Sequence, residues 1–296
     1  MIRLIGLGKM GLNLFDNMID NNIAVTAYDL DKNARVLREH TGQIVDNFDS
    51  LISDELSVYW IMLPQGEDTE SVFQKLCKLI TPGSIIIDGG NAHFRDTIRR
   101  SNQALEFGID FLDIGVSGGK SGARYGACMM VGGEMNVFDR VKDSLNKLCV
   151  EKGCLYVGPS GSGHYLKMVH NGIEYGMMQS IAEGFNIIEN TDLYTYDLHK
   201  VSQLFNSGSV IRSWLMELIT NSFEENSKLE NISKVVASSG EGKWAVEESL
   251  RLGLNTPVIA QSLFVRFSSN DESMFGERVT SSLRNQFGGH SSSSDE

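Results

Sequence analysis

A glycine-rich turn close to the amino terminus constrains the fold more than any other feature. Residues 2–5 read as a short apolar strand, Gly-Leu-Gly-Lys-Met-Gly occupies positions 6–11, and apolar residues then recur at helical spacing to position 19. In a dinucleotide-binding unit the first glycine permits a tight turn, the second lets the backbone approach a pyrophosphate, and the third lets the helix pack on the strand. The amino end of such a helix stabilises the anion. Because the glycine spacing alone is weak evidence, the residues that follow it decide the interpretation.

An acidic residue follows where a dinucleotide site requires one. Residues 24–28 read as a second strand, and Asp29 stands at its carboxyl end, about twenty residues beyond the turn, where an acid binds a ribose 2′-hydroxyl. Asp31 adds negative charge that would repel a 2′-phosphate, and Lys32 and Arg35 lie beyond both acids. We therefore expect NAD rather than NADP. The alternative is that Asp29 caps the helix that begins near Lys32.

Further strands alternate with helices in the first half of the chain. Strands are predicted at 57–63 and 84–88, with a helix near 67–79 between them, and this alternation indicates a parallel, doubly wound sheet. Ligands of such sheets gather at the carboxyl ends of the strands. The residues expected to contact the cofactor are Gly6, Leu7, Gly8, Lys9, Met10, Gly11, Asp29, Leu63 and Asn91.

The rest of the first half continues the α/β pattern to a glycine-rich boundary at 158–163. A predicted strand at 109–115 leads into Ser117, Gly118 and Gly119, which could offer a hydroxyl and backbone amides to an oxyanion or form an ordinary glycine turn. We expect an α/β Rossmann-like doubly wound sheet followed by an all-α domain. The predicted bounds are 1–158 for the dinucleotide-binding domain, 159–290 for a helical substrate and dimerisation domain, and 291–296 for a mobile polar tail.

The stretch 161–179 joins the two halves and carries an unusual polar stripe. Lys167, His170, Asn171, Glu174 and Tyr175 fall at i, i+3, i+4, i+7 and i+8, which places them along one face of a helix. The neighbouring residues are apolar, so we expect the polar face to be partly enclosed and to form a site. The alternative is an interhelical polar network or a solvated face.

Composition excludes several classes of function. The chain has 296 residues and a formal net charge of −12 with no basic stripe, which argues against a nucleic-acid partner. Its four cysteines lack metal or disulfide spacing, so we expect a reducing cytoplasm and no metal site. Neither a signal peptide nor a membrane span is expected.

The second half has helical patterns near 193–205, 210–223, 243–252, 257–267 and 274–287. Lys243 follows a glycine at the start of one of them, where its charge and the helix amino end could meet a phosphate. A lone lysine is more often solvated, so this residue is weak evidence by itself.

Taken together, the motifs resemble those of the 6-phosphogluconate dehydrogenase family. Residues 163–175 are almost unchanged from the family's catalytic motif, and the segments 88–91, 117–119, 242–244 and 284–290 occur in family order. The resemblance implies that Lys167 is the general base and Glu174 the general acid. The residues implied to hold the substrate are Asn91, Ser117, Gly118, Gly119, His170, Asn171, Tyr175, Lys243, Arg266, Arg284 and His290.

The resemblance also implies a reaction and an assembly. Oxidation at C3 of 6-phosphogluconate would be followed by loss of CO2 to give ribulose 5-phosphate, in a pentose phosphate or gluconate catabolic route. Lys167 must be neutral to act as a base, so its site must lower its pKa from about 10.4. Arg284 and His290 would come from a partner subunit, which makes a homodimer the minimum and a tetramer possible.

Three departures and two rival interpretations accompany the resemblance. Ala245 stands where the family usually has a phosphate-binding Thr, the chain is of the family's short type, and Asp29 and Asp31 replace the Asn and Thr of the long NADP-dependent enzymes. One rival is a β-hydroxyacid dehydrogenase, which lacks the phosphate set Lys243, Arg266 and Arg284. The other is a catalytically silent dinucleotide sensor, which would not need both Lys167 and Glu174.

Overall fold

A computed structural model describes residues 1–36 and 43–288. The chain divides into two units, Met1–His170 and the residues from Asn171 onward. A long helix, α7 (Ser162–Glu189), contributes its first turns to the first unit and the rest to the second.

A seven-stranded sheet forms the centre of the first unit, in the order β2-β1-β3-β4-β5-β6-β7. The strands are β1 (Ile2–Ile5), β2 (Val25–Tyr28), β3 (Val58–Ile61), β4 (Ile85–Asp88), β5 (Asp110–Ser117), β6 (Ala127–Gly133) and β7 (Cys149–Gly158). The helices are α1 (Lys9–Asp20), α2 (Lys32–Val36), α3 (Glu67–Leu79), α4 (Phe94–Glu106), α5 (Gly119–Tyr125) and α6 (Met135–Lys147).

Both faces of this sheet are covered, as a doubly wound fold requires. Successive residues of β3 alternate between two buried clusters: Trp60 packs in one, and Tyr59 and Ile61 pack in the other. Trp60 is fully buried. The predicted fold class is therefore confirmed for this unit.

One pair of strands departs from the predicted parallel arrangement. Strands β1 to β5 pair in parallel, and β6 pairs antiparallel with β5, with Ile114 opposite Val131. Only residues 118–126 separate these two strands. A parallel partner needs a crossover of about a dozen residues or more, so this short connection reverses the chain.

The second unit is helical, as predicted. Beyond α7 it contains α8 (Leu198–Asn206), α9 (Trp214–Glu225), α10 (Glu241–Leu252), α11 (Pro257–Ser269) and α12 (Phe275–Gly288). Phe185, Leu198, Met216 and Phe223 form its buried cluster. No helix in the described part of the chain is both long and apolar enough to span a membrane.

Two helix starts were predicted a few residues too early. Helices α8 and α9 begin after Asp197 and Ser213, whose side chains accept hydrogen bonds from the amides of Lys200 and Met216 at 3.1 Å each. These N-caps satisfy amides that have no partner within the helix, and so fix where each helix begins.

Candidate active site

The glycine turn between β1 and α1 has the geometry of a pyrophosphate site. Gly6 has φ of 100°, and a β carbon there would lie 2.6 Å from the carbonyl oxygen of Met62. A β carbon at Gly11 would strike the carbonyl oxygen of Gly6, which explains why α1 packs so closely on this turn. A β carbon at Gly8 would meet nothing within 4 Å, so the start of α1 faces open space. The residues present fit a bound dinucleotide at this point.

Asp29 connects the end of β2 to this turn. Its carboxylate accepts hydrogen bonds from the amide of Leu7 at 2.5 Å and from that of Asp31 at 2.8 Å. The residue that caps the first turn of α2 is Asp31, whose carboxylate accepts a hydrogen bond from the amide of Asn33 at 2.9 Å. The alternative that Asp29 caps this helix is therefore wrong. Asp29 lies beside the glycine turn, where an acid meets the ribose.

The other predicted cofactor contacts lie at the same edge of the sheet. Lys9 and Met10 are in the first turn of α1. Leu63 follows β3, and a β carbon on Gly90 would collide with the Leu63 carbonyl oxygen, so the ends of β3 and β4 touch. Asn91 is exposed directly after this contact.

The start of α7 lies directly against β5. A β carbon on Gly115 would lie 2.5 Å from the β carbon of Lys167, so only glycine allows this approach. The side-chain nitrogen of Lys167 donates a hydrogen bond to the carbonyl oxygen of Val116. The Ser117 hydroxyl lies 3.2 Å from Nε2 of His170. The structure thus brings together three of the predicted site residues, Lys167, His170 and Ser117.

Gly118 and Gly119 complete the turn after β5, with φ of 114° and 57°. Both values lie in the left-handed region that favours glycine. The turn leads into α5 immediately beyond Ser117.

A buried carboxylate that sequence reasoning missed anchors the amino end of α7. Asp113 of β5 is fully buried, and its two oxygens accept from the amides of Gly161 at 2.7 Å and His164 at 2.9 Å. Burial raises the pKa of the Asp113 carboxyl, and His164 and the two amides oppose that rise. The available signal was an acidic residue inside the apolar stretch 109–115.

In the second unit, the first turn of α10 packs against α7. The amide nitrogen of Asn171 donates to Glu241 Oε1 at 3.2 Å. Gly242 lies against the ring of Tyr175, and a β carbon there would collide with it. The Tyr175 hydroxyl lies 3.4 Å from the Ser238 hydroxyl. Glu241 was also missed by sequence reasoning, since a residue between two glycines is typical of an exposed turn.

Arg266 is the predicted phosphate ligand that the structure brings to Tyr175. Its guanidinium carbon lies 3.4 Å from the centroid of the Tyr175 ring, and the group also donates to the carbonyl oxygen of Ala237 at 3.0 Å. Lys243 is exposed and pairs with Glu247 at 3.6 Å. Arg266 is thus stacked on the Tyr175 ring, whereas Lys243 lies on the surface.

The remaining predicted residues lie on helices of the second unit or beyond the described part of the chain. Glu174 is half-buried on α7, Arg284 is exposed on α12, and His290 lies outside the described residues. Ala245 faces Gly172, whose β carbon would lie 3.1 Å from that of Ala245. Across residues 1–36 and 43–288, no group of three or more His, Cys, Asp or Glu side chains is arranged to hold a metal ion.

Comparisons with known proteins agree across both units. Residues 1–158 match the family model described as the NAD binding domain of 6-phosphogluconate dehydrogenase, and residues 163–295 match that of the enzyme's C-terminal domain. A Bacillus subtilis protein provisionally named 6-phosphogluconate dehydrogenase YqeC is 46% identical over 292 residues, covering 98% of each chain. An NAD(+)-dependent, decarboxylating 6-phosphogluconate dehydrogenase of Haloferax volcanii is 36% identical over 294 residues, covering 97% of this chain and 96% of the relative.

A solved structure is similar over the whole chain. The 6-phosphogluconate dehydrogenase of Plasmodium falciparum, studied with its cofactor NADP+ and with its substrate 6-phosphogluconate, superposes with a TM-score of 0.81 at 29% identity. The match covers 100% of this chain and 67% of that one.

Proposed function

This chain belongs to the 6-phosphogluconate dehydrogenase family, and from that premise we propose that it converts 6-phospho-D-gluconate to D-ribulose 5-phosphate and CO2 with reduction of NAD. The observation that carries this proposal is the contact of α7 with β5, where Lys167 bonds Val116 and His170 lies beside Ser117. A base and an imidazole from α7 and a hydroxyl from β5 therefore lie together at the carboxyl end of β5. A pentose phosphate or a gluconate catabolic route would use this reaction.

Proton transfers in the proposed reaction fall to two residues of α7. Neutral Lys167 removes the proton of the C3 hydroxyl, and NAD held at the glycine turn of residues 6–11 would supply the hydride acceptor. The resulting ammonium group polarises the new C3 carbonyl, which accepts the electron pair released as CO2 departs. Glu174 then protonates C1 of the enediol. The residues that would hold the sugar acid are Asn91, Ser117, Gly118, Gly119, His170 and Asn171.

The phosphate specificity rests on the second unit. The stacked pair Tyr175 and Arg266 offers a hydroxyl and a guanidinium, and a guanidinium binds phosphate well through its planar fork of donors. Lys243 would join them by exchanging its exposed partner Glu247 for the substrate. Because Ala245 carries no hydroxyl, phosphate binding here depends more heavily on these cations.

NAD is the cofactor we propose, with NADP as the weaker alternative. Asp29 accepts from the amide of Leu7 in the glycine turn and from that of Asp31, so a 2′-phosphate at this position would meet the carboxylates of both acids. The relative from Haloferax volcanii is named as NAD(+)-dependent, which agrees with this choice.

We also propose a homodimer as the smallest active form, with a tetramer possible. Many large apolar side chains of the second unit are exposed, among them Leu204, Val210, Leu250 and Phe275. Exposed apolar surface of this extent is typical of a protein interface. Arg284 and His290 would complete the site of the partner subunit.

The deciding experiment follows reduced nicotinamide by absorbance. The purified protein is incubated with 6-phosphogluconate and either NAD or NADP, with 3-hydroxyisobutyrate and unphosphorylated gluconate as controls. Turnover restricted to 6-phosphogluconate and faster with NAD is the expected result. Turnover of a non-phosphorylated hydroxyacid instead would favour the β-hydroxyacid dehydrogenase interpretation, and no turnover with any substrate would favour a dinucleotide sensor.

A further inference from the structure

Glu241 is a buried carboxylate at the first residue of α10. It is only 2% exposed and follows Gly240, which has φ of 104°. A buried carboxylate costs free energy unless hydrogen bonds or favourable dipoles stabilise it. The amino end of α10 supplies one such dipole. A side-chain hydrogen bond supplies further stabilisation of the Glu241 carboxylate.

The side-chain partner of Glu241 is Asn171, whose amide nitrogen lies 3.2 Å from Glu241 Oε1. The second oxygen, Oε2, is buried without a hydrogen-bond partner among the described residues. Asn171 donates to Oε1 through its amide nitrogen, so the nitrogen side of the Asn171 amide faces Glu241. The contact therefore determines which way round the Asn171 amide lies.

The surrounding packing prevents Glu241 from moving away. Its neighbour Gly242 is pressed against the ring of Tyr175, and Ala245, one turn later, faces Gly172 of α7. A β carbon on Gly242 would collide with the tyrosine ring, so the first turn of α10 lies as close to α7 as glycine permits. Glu241 is thus held at a fixed distance from Asn171.

We propose that Glu241 is a positioning residue that orients the amide of Asn171 for the sugar acid. This inference rests on the proposed function, in which Asn171 holds the substrate. With one amide N–H committed to Glu241, the Asn171 carbonyl oxygen is directed to the opposite side, where it accepts a hydrogen bond from a substrate hydroxyl. Glu241 itself is enclosed and does not touch the substrate.

A double-mutant cycle tests the proposal. Wild type, Glu241→Met, Asn171→Ala and the double variant are compared by the Kd of 6-phosphogluconate from calorimetry, by KM and kcat, and by Tm. Loss of one oriented hydrogen bond should raise Kd and KM of Glu241→Met about tenfold. In the Asn171→Ala background the same substitution should leave Kd and KM unchanged while still lowering Tm.

Two further variants separate orientation from folding. Glu241→Gln keeps an oxygen that accepts from Asn171, so its Kd should stay within about threefold of wild type. Glu248→Met removes another buried carboxylate of α10, which bonds Arg251 at 2.6 Å, and should lower Tm with Kd unchanged. If Glu241→Met does not fold, Glu241→Asp, which withdraws the carboxylate by one methylene, replaces it in the cycle.

The results distinguish this inference from the proposed function. Equal losses of affinity in the wild-type and Asn171→Ala backgrounds would overturn the role of Glu241, even in an enzyme that turns over 6-phosphogluconate. Failure of the wild-type protein to turn over 6-phosphogluconate would overturn the proposed function, and failure to bind it would overturn both.

Discussion

At the scale of single residues, the contact between Lys167 and the carbonyl of Val116 fixes where the proposed base lies. The contact depends on Gly115, since any larger residue would push the lysine away from the strand. Gly115 therefore allows the long side chain of Lys167 to lie directly against the backbone of β5.

Replacing Lys167 with Met should abolish turnover and leave NAD binding intact, because the substitution removes the base and keeps most of the side-chain volume. We expect kcat to fall by at least about a hundredfold, the lower range for loss of a general base. Steady-state kinetics and NAD titration measure the two effects. Lys147→Met, at an exposed position in the last turn of α6, is the matched control. Substantial residual turnover in Lys167→Met would reject the assignment of the base.

Asp29→Ala should shift the cofactor preference towards NADP, because it removes the carboxylate that would face a 2′-phosphate. The ratio of kcat/KM for NAD to that for NADP should fall by about tenfold or more. Asp29 also accepts from the amide of Leu7, so Asp29→Asn, which retains an acceptor oxygen, serves as the control for turn geometry. An unchanged ratio in both variants would remove Asp29 from the ribose site.

At the scale of secondary-structure elements, α7 is held at its start by one side chain of β5. Asp113 accepts hydrogen bonds from two backbone amides at the amino end of α7. Amides in the first turn of a helix have no partner within that helix. Further along the same strand, Val116 and Ser117 contact Lys167 and His170. The strand and the helix therefore form one supporting unit for the proposed chemistry.

Asp113→Asn should destabilise the protein, because the amide nitrogen that replaces one oxygen cannot accept from a backbone N–H. The expected loss is about 1–3 kcal/mol in the free energy of unfolding, measured with urea at neutral pH. Asp110→Asn, at the half-exposed start of the same strand, is the comparison. Equal stability of wild type and Asp113→Asn would show that the anchor contributes nothing.

A second pair of elements, α3 and α4, gives a pH-dependent prediction. Arg99, together with Gln74 and Arg100, lowers the pKa of Glu70 from 4.5 to about 2. A lowered carboxyl pKa contributes stability above pH 4.5 and loses it as the pH falls towards 2. Glu70→Gln should therefore be less stable than wild type at pH 7, by less than about 1 kcal/mol, since the Glu70 and Arg99 side chains are both partly exposed to solvent.

The measurement for this pair is the urea midpoint between pH 7 and pH 3. The difference between wild type and Glu70→Gln should narrow below pH 4.5. A difference that stays constant over this range would show that the ion pair is not its source.

The sequence predicted those elements whose signals are local. The glycine turn, the strand before Asp29 and the helical second half follow from residue spacing, and the structure confirms them. The role of Asp113 was missed because the amides that donate hydrogen bonds to it lie 48 and 51 positions further along the chain. Glu241 was missed because its hydrogen-bond partner on α7 lies 70 positions earlier. One sequence carries no direct record of such long-range contacts, and the proposed roles of the site residues stay predictions.

At the scale of the whole molecule, the proposed assembly shares each active site between two subunits. The second unit exposes large apolar side chains and contains a cavity of about 500 Å³ lined mainly by apolar residues. Both features favour association through this unit.

Mixed dimers of Lys167→Met and Arg284→Ala subunits should recover activity that neither parent shows. Each mixed dimer would contain one site with both native residues and one with neither, so purified mixed dimers should show about half of the wild-type activity. Co-expression with two affinity tags, followed by assay of the doubly purified fraction, measures this recovery. Lack of recovery in verified mixed dimers would place Arg284 outside the partner's site.

The burial of Trp60 gives the chain an optical property. The chain has three tryptophans, and Trp60 is fully enclosed in the sheet, whereas Trp214 is 48% exposed and Trp244 half-buried in the second unit. Fluorescence from Trp60 should be blue-shifted and resist quenching by acrylamide, while that from Trp214 should be quenched readily. Each unit thus carries its own fluorophore, and separate urea transitions of the two signals would reveal units that unfold independently.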